Sequence, residues 1–279
     1  MNIGSQSYNR IQKIADIPFY TEGPAVDSKG NLYCTTLSGQ SILKVTPSGK
    51  IVEWARSKWP NGQIILQNDD HLICDVKLSA VRRFDSEGRF IRNEIEGSCL
   101  GEKIFTPNDL VADANGNIYF TDSIKHNGKI FFIGNDGRRS ILVTDLSYPN
   151  GLILSRDQHR LFVAESSQNR ITVIELENPG KVKGTHHVFA DLPQNKLGKY
   201  NLPDGLALDN HDNIWVAHYG MQAVQVLSPD GDLLHSIDTG VPLTSNLTFI
   251  NDKTLFITGG FGEPGPGVLL KYLLQDCEN

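Results

Sequence analysis

One plan of residues returns through the whole chain and limits what it can fold into. NDLVADANGNIYFTDS (108–123), NGLILSRDQHRLFVAES (150–166) and DGLALDNHDNIWVAHYG (204–220) each open on a polar residue. A short apolar strand follows, then a turn rich in Asp, Asn and Gly, then a second strand of β-branched and aromatic residues. EGPAVDSKGNLYCTTL (22–37) fits the same plan, and NGQIILQNDDHLICDV (61–76) and SNLTFINDKTLFITGG (245–260) fit it more loosely. Units run on into a further hairpin with its own turn, such as ILKVTPSGKIVEW (42–54) and VQVLSPDGDLLHS (224–236). Glycine in these turns supplies positive φ without steric cost. Six units of four short strands are the pattern of propeller blades.

The expected fold is therefore all-β, a six-bladed β-propeller with four antiparallel strands per blade, occupying residues 1–279 as a single domain. A TIM barrel or a Rossmann fold needs amphipathic helices between strands, and no such stripe is present. The last unit supplies only three strands. RIQKIADI (10–17) reads as a strand and is expected to pair into that last blade, closing the ring and removing an open edge.

Charge and cysteine content narrow the function. The net charge is −6 and the basic residues are scattered among acidic ones, which excludes a nucleic-acid groove. Cys34, Cys74, Cys99 and Cys277 form no CxxC pair or zinc-like spacing, and Cys34 and Cys74 read as small buried hydrophobes. The first residues show no basic-then-apolar signal peptide, and no apolar run is long enough to span a bilayer. The expectation is a soluble, cytoplasmic protein with reduced thiols and no membrane partner. Its oligomeric state is left open.

Aligning the units on their first strand gives one equivalent position per blade: Glu22, Asn61, Asn108, Asn150, Asp204 and Ser245. The innermost strand of a blade lines the central channel, so these residues converge on the axis. A single Asn there is an Asx-turn or strand cap. Glu, Asn, Asn and Asp at one level of four blades point to a shared ligand. Facing carboxylates repel and resist desolvation, and a divalent cation removes that cost. Hard cations take carboxylate and amide oxygens, so Ca²⁺ is expected, with Zn²⁺, Mn²⁺ or Mg²⁺ as alternatives. Asn61 and Ser245 read as channel lining. The second strand of a blade returns antiparallel, so Asp122, Glu165 and His218 form a second level. Of these, Asp122 and His218 are expected to contact substrate.

EGPAV, PNDLVADANGNIYFTD, YPNGLILSRDQHRLFVAE and LPDGLALDNHDNIWVAHYG, in this order, resemble the SMP-30/gluconolactonase/luciferin-regenerating-enzyme family over nearly the whole chain. The resemblance implies a six-bladed propeller with one divalent metal in the channel. It implies Glu22, Asn150 and Asp204 as protein ligands, Asn108 against substrate or a bound water, and Asp204 as the catalytic proton carrier. The implied activity is metal-dependent hydrolysis of a lactone, a small-molecule cyclic ester such as a sugar lactone. One departure is Thr106, where sugar-lactone hydrolases of the family often carry arginine; Lys103 is the nearest cation. This sets gluconolactone itself apart without touching the hydrolytic chemistry. No GxSxG elbow offers a serine-hydrolase alternative. Two other readings stay open on the residues: a phosphotriester hydrolase on the same metal site, and a non-catalytic propeller whose metal serves structure while a rim binds protein.

Overall fold

A computed structural model describes residues 10–195 and 200–274. Six antiparallel sheets carry the six expected units in order, so the propeller read from the repeats is the fold. No α-helix occurs among the described residues. The inner strands are Glu22–Val26, Pro60–Ile65, Pro107–Ala112, Pro149–Leu154, Leu202–Leu208 and Leu243–Asn251. Blade six takes its outermost strand from the start of the chain: Ile11–Ile17 pairs antiparallel with Gly267–Leu273. Two small elements escaped the sequence reading. A short hairpin, Ser98–Cys99 with Glu102–Lys103, sits in the connection before blade three. The strand Lys181–Val182 adds to blade four. Cys277 lies outside the described residues.

Packing follows from strand alternation. Each blade hides one apolar face against the next, which gives six apolar clusters, one at each blade-to-blade interface. Ala207, Trp215 and Val226 of blade five pack on Leu247, Leu255 and Val268 of blade six. The closing interface holds Ile17, Cys34, Val45, Phe256 and Leu269. Cys34 and Cys74 are fully buried free thiols, as their apolar strand contexts implied. Local turns repeat too. Asp27, Asp113 and Asp209 each accept bonds from the backbone amide and side-chain amide of an Asn four residues on. These are Asx-type turns that fix the first hairpin of the blade.

The inner strands share one irregularity that positions the site. In every blade the register with the second strand shifts at or just beyond the channel-level residue: between Glu22 and Ala25, Pro60 and Gln63, Pro107 and Leu110, Pro149 and Leu152, Pro203 and Leu206, and Thr244 and Asn246. A bulge frees the strand from regular pairing and re-aims a side chain. Here it falls where the six strands come nearest the axis.

Closure by the first strand predicts the effect of losing it. A chain truncated before Pro18 exposes the Gly267–Leu273 edge and strips Ile17 from its cluster. It is expected to aggregate with rising concentration and to lose its cooperative melt, read by light scattering and thermal denaturation.

Candidate active site

A cavity of about 440 Å³ opens on the axis and is lined by Glu22, Asn61, Asn108, Asn150 and Asp204. Five of the six residues expected at the channel level therefore share one cavity. The sixth, Ser245, is fully buried; its hydroxyl donates to the Thr21 carbonyl (2.8 Å) rather than facing the space. Four tyrosines, Tyr20, Tyr148, Tyr200 and Tyr219, form much of the remaining wall, with Ser166, Ser167 and Glu263. No lysine or arginine is among the described lining residues.

Hydrogen bonds fix the amides. Asn61 Nδ2 donates to Asn108 Oδ1 (3.0 Å). Asn150 Nδ2 donates to Ser166 Oγ (3.3 Å), whose own proton goes to the Pro203 carbonyl (2.6 Å). Glu22 Oε2 accepts from the Gly23 amide (3.0 Å), and the Tyr20 hydroxyl stands 3.4 Å from Oε1.

The carboxylates are held against their preference. Glu22 and Asp204 are 5% and 8% exposed. Desolvation, then repulsion from Asp109, pushes Glu22 up to about 7, and hydrogen bonds offset only part of this. Desolvation, then Glu22, Asp109 and Glu263, raises Asp204 well above the usual carboxylate range, against a bond from Asn150. Buried like charges without a counter-ion are costly. The donor set is two carboxylates with asparagine oxygens at the same level, and it fits a hard divalent cation. Among the described residues no three His, Cys, Asp or Glu side chains gather as a complete ligand shell, so amide oxygens and water would have to complete this one.

The structure does not bring Asp122 and His218 to the cavity. Both are fully buried. Asp122 pairs with Pro107 and His218 with Pro203, each the neighbour of the channel-level residue. Asp122 Oδ1 accepts from the backbone amides of Phe105 and Thr106. Glu165 Oε1 accepts from the Ser147 amide, and Asp75 Oδ2 from that of Lys58. These acids clamp the connections that lead into the inner strands. His218 bonds Asn169 through Nε2 (2.8 Å) and Gln225 through Nδ1, and burial lowers it to about 4. It is a neutral structural histidine. The correction to the sequence expectation is one of facing: the second strand ends close to the ring, but these side chains point behind it.

Sequence reasoning missed the tyrosines and Asp109. Tyr148 carries the clearest mark, a positive φ of 59° in a non-glycine residue that lines the cavity. Such a backbone costs on the order of 1–2 kcal/mol. It is pinned by Tyr148 N–H to Ile124 O (3.1 Å) and by Ser166 N–H to Tyr148 O (3.1 Å). Tyr219 donates to Glu263 Oε1 (3.0 Å) and packs edge-on with Tyr20 and Tyr200. Asp109, 8% exposed and raised to about 6 by burial, lies beneath the ring. Its signal was the Asn-Asp pair standing where four other blades carry glycine after the channel-level residue.

Comparison with known proteins agrees with this architecture. The SMP-30/Gluconolactonase/LRE-like region matches residues 20–260. A protein of Staphylococcus haemolyticus named lactonase drp35 is 29% identical over 78% of this chain and 69% of its own length. A gluconolactonase of Zymomonas mobilis is 27% identical over 79% of this chain and 60% of its own length. A structure described as a gluconolactonase from Xanthomonas campestris superposes with a TM-score of 0.82 at 26% identity, covering 95% of this chain and 89% of that one.

The raised carboxyls predict a pH signature. Burial holds Glu22 up at about 7, above its ordinary value of 4.5, so the folded state binds more protons between these values. The stability this confers is complete below pH ~4 and is lost as pH rises through 7. Chelator-stripped protein is expected to melt several degrees lower at pH 8 than at pH 5. Ca²⁺ should recover the difference at pH 8, and Glu22→Gln should flatten the slope. Scanning fluorimetry across pH, with and without chelator, checks this.

Proposed function

Because the chain belongs to the SMP-30/gluconolactonase/LRE-like family, we propose that it is a metal-dependent hydrolase that opens the ring of a small-molecule lactone. The observation that carries the reading is the convergence of two buried carboxylates, Glu22 and Asp204, with Asn108 and Asn150 on one cavity that has no basic lining residue among those described. The names of the relatives, lactonase and gluconolactonase, support the same reaction class.

In this reading Glu22, Asn150 and Asp204 hold one divalent cation, Ca²⁺ by the hardness of the oxygen set. Such a cation polarises an ester carbonyl and lowers the pKa of water bound to it. Asp204 takes the proton of the attacking water and returns it to the alkoxide as the ring C–O bond breaks. Water is consumed and a hydroxy acid is formed. Asn108, held by Asn61, orients the ester. Tyr20, Tyr148 and Tyr219 give the ring a flat wall; the Tyr148 hydroxyl is offered to substrate as a donor, while those of Tyr20 and Tyr219 are turned to Glu22 and Glu263. Thr106 donates its amide to Asp122 and does not line the cavity, so substrate hydroxyls meet no arginine there. That supports a lactone less dependent on charged contacts to its hydroxyls than gluconolactone.

Turnover of a lactone panel by the wild type, by Asp204→Asn and by chelator-treated protein tests the proposal. Asp204→Asn is expected to lower kcat/KM roughly 10²–10⁴-fold with the fold intact. Chelation should abolish turnover and Ca²⁺ restore it. Undiminished turnover in either case, or preference for a phosphotriester in the same panel, would sink it.

A further inference from the structure

We infer that Asn246, paired with Asp109 across the axis, plugs the channel beneath the candidate site and sets which oxygen of Glu22 faces the cavity. This rests on the reading of Glu22 as a cation ligand. The residue following each channel-level position is Gly23, Gly62, Asp109, Gly151, Gly205 and Asn246 in blades one to six. Blades three and six stand opposite each other in a six-fold ring, and only they carry a side chain at this level. A Cβ on Gly62 would overlap Asp109 Oδ1, and one on Gly205 would overlap the Asn246 amide. Two side chains fill the axis, and the glycines make way for them.

The two plugs are built alike and are chemically opposite. Asp109 Oδ1 accepts from the Leu110 amide (2.9 Å) and Asn246 Oδ1 from the Leu247 amide (2.8 Å). That commits the Asn246 oxygen, so its Nδ2 must face the axis. There it donates to Asp109 Oδ2 (3.2 Å) and to Glu22 Oε2 (3.3 Å). Glu22 Oε2 also takes the Gly23 amide and is thereby filled from below. Oε1, 3.4 Å from the Tyr20 hydroxyl, is the oxygen left to the cavity. An aspartate at position 246 would set three carboxylates against one another, and a leucine would fill the space without holding Glu22. Asn246 is 7% exposed and does not line the cavity, so it is a positioning residue.

Calorimetric titration of Ca²⁺ into stripped full-length protein tests this with Asn246→Leu, Asn246→Ala and a control, Leu255→Ala, which weakens the same blade interface away from Glu22. Both Asn246 variants are expected to lose at least tenfold in Ca²⁺ affinity at a temperature where all are folded. Leu255→Ala should lose melting temperature yet bind Ca²⁺ as the wild type does. If Asn246→Leu fails to fold, Asn246→Ala against the control decides. Wild-type affinity in the Asn246 variants, or an equal loss in Leu255→Ala, overturns the positioning role alone. A wild type that binds no Ca²⁺ overturns the cation reading, and this inference with it.

Discussion

The axis of the propeller admits very few side chains, and the rest of the site depends on that limit. Six inner strands meet there closely enough that a Cβ on Gly151 would overlap the Asp204 carbonyl of the next blade. Glycine follows the channel-level residue in four blades for this reason. Once Asp109 and Asn246 occupy the remaining space, the level above them is the first at which a ligand can sit. The bulge shared by the inner strands serves the same end, since it releases each strand from its ladder where it must turn a side chain inward.

Electrostatics then follows from crowding. The polar side chains above the plug cannot spread apart, and they share one tyrosine-lined cavity. Glu22 and Asp204 therefore stay buried with raised pKa values, and the amides around them are committed to particular partners. Groups that are unfavourable in the folded chain alone become favourable when a cation balances them. The strained backbone of Tyr148 belongs to the same economy of space, because a regular conformation there would move both the ring and the carbonyl that Ser166 needs.

Much of this was legible in the sequence because repeats multiply evidence. One Asn before a strand says little, whereas six polar residues at one register define a level of the channel. The closing strand was legible for a similar reason, since the last unit was one strand short. Asp122 and His218 were misread because adjacency in a hairpin does not fix facing. They pair with Pro107 and Pro203, the residues just before the channel level, and their side chains serve connections and neighbours behind the wall. A sequence shows that a strand returns near the axis. It does not show which face of that strand the bulge leaves toward it.

The six blades, their order, the closing strand and the ring of Glu22, Asn61, Asn108, Asn150 and Asp204 were determined by the sequence itself. They arise from local rules of turn chemistry and strand alternation, repeated at a fixed spacing. Tertiary structure alone decided what surrounds that ring. Tyr20, Tyr148, Tyr200 and Glu263 come from connections whose paths depend on packing of neighbouring blades, Tyr219 ends the second strand of blade five, and no local pattern aims them at the axis. The bond between Asn246 and Asp109 joins residues 137 positions apart. It exists only because blades three and six face one another across a closed ring.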